Sequence, residues 1–310
     1  MRRDWVLVVL LLLCSCGGKA SPQAADPFPR AVAIGSEVPS SPFAEAALLE
    51  EATRLCAPDF AGRGSYQQGS ALASQYVYDE LAKLGYEMHR QAIRGHAETI
   101  IAVKRGDENA VLISAHHDHL GTQKGDVYLG ADDNASGLAA LLAIARSRAQ
   151  LSYKHTLLFV SFGAEEDGLV GSGAYVREPF WPLAKTVAVI NFDMVGRNFF
   201  EAGANQQAAV AVVGLEASSV ARDATLSDAQ ERGLSVIEVP ARLLEIFYLH
   251  DRTDDWWFRR QGITAIHFST GMHQDYHQPS DTVDKLQFGQ ISRIAQTAAA
   301  TLDALAQRDP

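Results

Sequence analysis

Nearly continuous apolar runs alternate along this chain with stretches of helical spacing. Residues 111–114, 156–162 and 186–192 are dominated by Val, Leu, Ile, Ala and Phe, the pattern of strands buried on both faces. Helices are predicted over 45–56, 71–84, 135–148, 168–177 and 218–232. In the second of these Ala73, Val77, Leu81 and Leu84 recur at threes and fours, and Gly85 is placed to end it. The chain closes in a further helix whose Ile291, Ile294, Ala298, Leu302 and Leu305 form one stripe. Shorter strands are predicted at 87–93, 99–104, 234–239 and 265–268, and 59–64 reads as a turn. Alternation of strand and helix predicts a three-layer α/β/α fold, with a central mixed, mostly parallel sheet and helices on both faces. No internal repeat and no boundary of a second domain shows, so 43–310 is expected to form one unit.

With 310 residues and 47% hydrophobic content the chain can bury a substantial core. Its formal net charge is −10 and no basic run stands out, which argues against nucleic acid or an anionic membrane surface as the main partner. Small or peptide-like substrates stay open. At the N-terminus Arg2 and Arg3 precede an apolar run over 6–13 that is too short to span a bilayer. It reads as an export signal, residues 1–15. Its end, Leu13-Cys14-Ser15-Cys16-Gly17, resembles a bacterial lipobox with Cys16 as the lipidated residue. Cleavage near Ala20 without lipid is the alternative. No acidic retention signal follows Cys16, so the expected location is the outer membrane facing the periplasm, or the cell surface, with lipid as the only membrane contact. Residues 16–42, rich in Gly, Ser, Pro and Ala, suit a flexible tether. Cys56 would then be the only thiol left in the mature chain, which excludes an internal disulfide, and its place on an apolar helical face suits packing.

Two short runs carry the chemistry. Ala115-His116-His117-Asp118-His119 ends one strand block, and Gly130-Ala131-Asp132-Asp133-Asn134-Ala135-Ser136-Gly137 opens a helix. Polar clusters follow at Glu165-Glu166-Asp167-Gly168, Asn191-Phe192-Asp193-Met194, Arg252-Thr253-Asp254-Asp255 and Tyr276-His277-Gln278-Pro279-Ser280-Asp281, each expected beyond a strand. Strand ends of a parallel sheet lie side by side, so such clusters can converge. A mixture of imidazole and carboxylate suits zinc, whereas calcium or magnesium favours oxygen alone. Cobalt or manganese could occupy the same donors.

In their order and content these motifs resemble the zinc aminopeptidases of the M28 type, from about Cys56 to the last helix. The carrying residues are His116 and Asp118 of a His-x-Asp motif, Asp133 to Gly137, Glu165 to Ser172, Asp193-Met194 and the late His277. The resemblance implies a zinc-exopeptidase-like fold and two Zn2+ per chain. His116 and Asp193 would hold one ion, Glu166 and His277 the other, and Asp133 would bridge them. It implies that Asp118 hydrogen-bonds the His116 ring, that Glu165 is the general base, and that Tyr276 donates to the developing oxyanion. The implied reaction is removal of N-terminal residues from peptides, with no obligate protein partner. Glutaminyl cyclase chemistry on a related site, or a non-catalytic binding lipoprotein on the same scaffold, are the alternatives.

One departure stands out. Many members read Ser-Asp-His where this chain has Thr253-Asp254-Asp255, a segment expected to line the substrate side. The implied ligand set leaves His117, His119, His155, His250, His267 and His273 unassigned, with His119 expected nearest the site.

Overall fold

The computed structural model describes residues 41–95, 97–198, 208–246 and 251–307. The expected export signal, Cys16, most of the tether and His250 lie outside them.

Two helices come first, α1 (Glu45–Leu55) and α2 (Gln68–Lys83), the second closed by Gly85 at φ 82°. Strands β1 (Glu87–Arg94), β2 (Ala97–Lys104) and β3 (Ala110–His116) follow. A small hairpin, β4 (Gly121–Gln123) and β5 (Asp126–Tyr128), leads into α3 (Gly137–Arg148). Then β6 (Thr156–Phe162), α4 (Val170–Arg177) and β7 (Thr186–Phe192) alternate. The last third holds β8 (Ala209–Val213), α5 (Ser219–Glu231), β9 (Ser235–Val239), α6 (Ala241–Ile246), α7 (Asp255–Arg260), β10 (Thr264–Ser269) and α8 (Phe288–Ala306).

Eight strands form one sheet in the order β1-β2-β6-β3-β7-β10-β8-β9. The four central strands, β6, β3, β7 and β10, are all parallel. Antiparallel pairings occur where β1 and β2 join β6 on one side and where β8 meets β10 on the other. The sheet is therefore mixed, with a parallel centre.

Side chains alternate between its faces as a pleated strand requires. Val111 and Ile113 of β3, Leu157 and Phe159 of β6, and Ala188 and Ile190 of β7 share a core with Leu48 of α1, Leu81 of α2, most of α3 and the Ile291–Leu305 stripe of α8. Leu112, Leu158, Val160 and Val189 point the other way, toward Tyr175 of α4 and Phe258 of α7. Every residue of β3 and β6 is buried, as expected of central strands covered on both sides. Cys56 is a free, buried thiol whose pKa is pushed up to about 11 by burial. That fits the packing role expected of it.

Candidate metal centre

The parallel centre of the sheet aims its carboxyl ends at one place. His116 is the last residue of β3, Glu165 and Glu166 follow β6, Asp193 follows β7, and His277 lies beyond β10. Asp133 arrives from the tight turn between β5 and α3. Three of these turns put a residue other than glycine in the left-handed region: Ala164 before Glu165 (φ 56°), Met194 after Asp193 (φ 57°) and His277 itself (φ 54°). Each such residue costs about 1 kcal/mol or more and is tolerated where surrounding contacts dictate the backbone.

Buried polar contacts dictate it here. The Asp281 carboxylate accepts hydrogen bonds from the backbone N–H of Asp132 (2.9 Å) and of Asp133 (3.2 Å). Asn134 donates to Phe192 O (2.9 Å) and accepts from Met194 N–H (3.3 Å), joining the Asp133 turn to the Asp193 turn. Asp132 accepts from Gly196 N–H (2.6 Å) and lies 3.1 Å from His273 Nε2. Gly130, at φ 59°, precedes this turn, and a Cβ there would sit 2.1 Å from Asp133 O. Only glycine fits.

Arg63, 1% exposed, supports the centre from below. Its guanidinium donates to Leu55 O (2.7 Å), His117 O (2.9 Å), Leu129 O (2.8 Å) and Gly130 O (2.7 Å). One cation thus ties the end of α1 to both ligand loops. Replacing Arg63 with methionine leaves these carbonyls without donors, each loss costing on the order of 1 kcal/mol or more. Chemical denaturation is expected to show at least about 3 kcal/mol of lost stability; a change under about 1 kcal/mol would contradict this role.

The donors fall into two groups. His116, Glu165 and Asp193 offer ligand atoms all within 4.8 Å of one another, and so do His119, Asp133 and Glu166. His116 Nε2 lies 3.4 Å from Asp133 Oδ1 and 3.4 Å from Asp193 Oδ1. His277 Nε2 lies 3.1 Å from both Asp133 Oδ2 and Glu166 Oε2. Zinc bonds of about 2.0–2.1 Å in a tetrahedron put neighbouring donors about 3.3 Å apart, so nitrogen–oxygen sets at these spacings fit zinc. The two oxygens of Asp133 face the two groups separately, which suits a bridge. All five ligands inferred by resemblance therefore meet in one place, with Glu165 beside the first group. His277, with a side chain 32% exposed, and Asp193, at 14%, are the least covered of them.

Asp118 requires a correction. Its carboxylate does not hydrogen-bond the His116 ring: Oδ1 is 3.8 Å from Nδ1, and the nearer acceptor is Asp118's own backbone carbonyl at 3.2 Å. The carboxylate instead accepts from Ser65 Oγ–H (2.7 Å), Glu165 N–H (3.0 Å) and Glu166 N–H (3.3 Å). It holds the turn that carries both glutamates. The motif revealed the residue, but not which group it grips.

Burial raises the Glu165 carboxyl well above the usual carboxylate range, against the pull of His116 and with the neighbouring carboxylates adding to it. Asp133 goes the opposite way. Burial would raise it, yet His116, His119 and His277 hold it well below its ordinary value. Burial disfavours charge on His277, but its contacts with Asp133 and Glu166 outweigh that and push its pKa up to about 10. If His277 ligates zinc, an ion entering at pH 7 displaces its proton, because ligation needs the neutral imidazole. Apparent zinc affinity is expected to rise with pH up to about 10, and calorimetry in buffers of different ionisation enthalpy should register proton release. Binding without proton uptake by the buffer would contradict this.

Tyr276 stacks on His277 with ring centroids 3.8 Å apart. Burial and the surrounding carboxylates push its phenol far up, so it keeps its proton.

The Thr253–Asp255 segment differs from expectation. It leads into α7, whose first residue is Asp255, and Asp254 and Asp255 are 1% and 0% exposed, so neither carboxylate lines an open substrate surface. Asp255 pairs with Arg259 at 2.7 Å and accepts from Thr253 Oγ1–H at 2.6 Å. Burial raises Asp254 to about 7, with His116 opposing and Asp118 and Asp193 adding to it. Of the unassigned histidines, His117 contacts Ser161, His155 pairs with Asp107, His267 lies near Asp255, and His273 contacts Asp132. Among the described residues, His119 alone of these enters the candidate ligand groups. Its place one residue past Asp118 was the signal available.

The layered mixed sheet is a fold shared with solved structures: a Zn-dependent exopeptidase from Parabacteroides distasonis matches with a TM-score of 0.67 at 19% identity, covering 86% of this chain and 99% of that one. Porphyromonas gingivalis glutaminyl cyclase matches with a TM-score of 0.69 at 19% identity, over 85% and 99%. At such identities the likeness concerns the fold alone. The profile of peptidase family M28 matches residues 98–302, and the chain belongs to that family. Leupeptin-inactivating enzyme 1 from Streptomyces exfoliatus is 34% identical over 176 residues, 54% of this chain and 39% of that enzyme, so the match spans less than half of that relative.

Proposed function

We propose that this protein is a two-zinc aminopeptidase that hydrolyses the first peptide bond of peptides outside the cytoplasm. The observation that carries the reading is the meeting of His116, Asp133, Glu166, Asp193 and His277, with Glu165 beside them, at the carboxyl ends of neighbouring parallel strands in an M28 chain. His116 and Asp193 would hold one ion, Glu166 and His277 the other, and Asp133 would be shared between them. Zinc bound there supplies Lewis acidity, polarising the scissile carbonyl and easing loss of a proton from water.

The protein's own groups do the proton work. Glu165 takes the proton of the attacking water at its carboxylate and delivers it to the amine nitrogen as the C–N bond breaks. Its raised pKa makes it a stronger base than an ordinary carboxylate. Asp118 fixes it by accepting its backbone N–H. Tyr276, kept neutral, donates to the carbonyl oxygen as that oxygen gains charge, a contact typically worth about 3 kcal/mol of barrier.

The test is the zinc-supplied protein against a panel of aminoacyl substrates, free and N-acetylated. Hydrolysis of the free but not the blocked forms supports the reading. No cleavage in the panel sinks it, and ammonia release from N-terminal glutamine with one zinc per chain would instead indicate a cyclase. Anchoring by lipid at Cys16 is a further part of the proposal, supported by the lipobox-like 13–17 run. Cys16→Ala should move the protein from the membrane to the soluble fraction, and unchanged partitioning would refute the anchor.

A further inference from the structure

We propose that His119 is a direct ligand of the second metal position, through Nδ1, so that this position is enclosed by two imidazoles and two carboxylates. The proposal rests on the two-metal reading above and adds a donor to it. His119 Nδ1 lies 2.7 Å from Glu166 Oε1 and 3.7 Å from Asp133 Oδ2, while His277 Nε2 stands 3.1 Å from the other Glu166 oxygen, Oε2, and 3.1 Å from the same Asp133 Oδ2. These values straddle the donor spacing of about 3.3 Å in a tetrahedral zinc shell. The side chain of His119 is wholly buried and its ring is wedged against Gly130, where a Cβ would sit 2.5 Å from His119 Cγ. The His277 ring meets it edge-on at 5.7 Å between centroids. His119 is thus packed between Gly130 and the His277 ring, and the atom it presents to the carboxylates is a nitrogen.

The two positions then differ in kind. The first has one imidazole, the Asp193 carboxylate and a share of Asp133, with Glu165 alongside, which leaves room for water and substrate. Four protein donors fill the second, the composition of a closed site that retains its ion. The second ion therefore acts mainly as a fixed charge, and it is the more tightly held of the two.

The competing role for His119 is hydrogen bonding: Nδ1–H would donate to Glu166 and orient it. Proton position separates the two roles, because a ligating Nδ1 carries no hydrogen. Long-range proton–nitrogen correlation spectra of 15N-histidine-labelled full-length protein, loaded with zinc and without substrate, read this directly. The expected result is a metal-bound Nδ1 and a protonated Nε2 for His119, the reverse of His116 and His277. A protonated Nδ1 on His119 in the zinc-loaded protein overturns the proposal.

His119→Asn gives the second readout. Its amide can keep the hydrogen bond to Glu166 but is a poor zinc ligand, so a ligand role predicts at least about 100-fold weaker binding of the tighter zinc equivalent, beyond the loss typical of an outer partner. Wild-type affinity in this variant overturns the proposal. Neither measurement uses peptide cleavage, so a protein that binds zinc this way yet cleaves nothing would refute the peptidase reading and leave the ligand assignment standing.

Discussion

Glu165→Gln is expected to lower turnover of an unblocked aminoacyl substrate by about a thousandfold, within the range for loss of a general base, while zinc content and folding stay at wild-type levels. Glutamine preserves the shape of the side chain and the backbone N–H that Asp118 accepts at 3.0 Å. It removes only the capacity to take a proton. The zinc measurement matters because Glu165 lies within the first ligand group, with His116 and Asp193. If Glu165 served as a ligand, the variant would lose metal as well as rate. The pH profile adds a check with a definite sign. A base works only when deprotonated, and the raised pKa of Glu165 predicts activity that falls as pH drops through that value. In the glutamine variant this acid limb should flatten. Retention of more than about a tenth of wild-type turnover would remove Glu165 from the reaction.

Asp133→Asn should have a wider effect, because one carboxylate faces both groups. His116 lies 3.4 Å from one oxygen and His277 3.1 Å from the other, with His119 at 3.7 Å from the second. Neutralising it leaves three imidazoles around an amide and takes negative charge from both metal positions at once. Partners outside the ligand shell already cost about 10- to 100-fold in metal affinity, so loss of a shared ligand is expected to exceed that at each position. Elemental analysis after dialysis should find less than one zinc per chain, with activity gone. Two retained zincs would show that Asp133 does not bridge. Substituting Asp193 should weaken chiefly the first position, and the contrast separates bridge from single ligand.

Much of this architecture was legible before any coordinates. β6 and β7 match their predicted bounds because continuous apolar runs mark strands covered on both faces. β3 extends past its prediction to His116, the first of the inferred ligands. β8 escaped notice, since Ala-Val-Ala-Val-Val over 209–213 is only five residues long and two of them are alanine, a poor strand former. The short α7, six residues long, offers too little length for a helical period to show. Strand direction is invisible to hydrophobic pattern, so the antiparallel flanks could not be assigned in advance. At the centre, motif order pointed to five residues that the fold brings together. The grip of Asp118, the burial of Asp254 and Asp255, and the entry of His119 depend on how turns orient side chains, which residue order does not encode locally. The same holds for Asp281, whose carboxylate caps a turn about 150 positions earlier.

Arg63 has a bearing on where this protein can be cut. The family profile begins at residue 98, yet the guanidinium that fastens the 117 and 129–130 loops comes from 35 positions upstream of that boundary. A fragment trimmed to the recognisable segment would keep every inferred ligand and lose the rivet beneath them. The profile outlines the chemistry of this chain, while its mechanical foundation extends upstream of the segment that the profile matches.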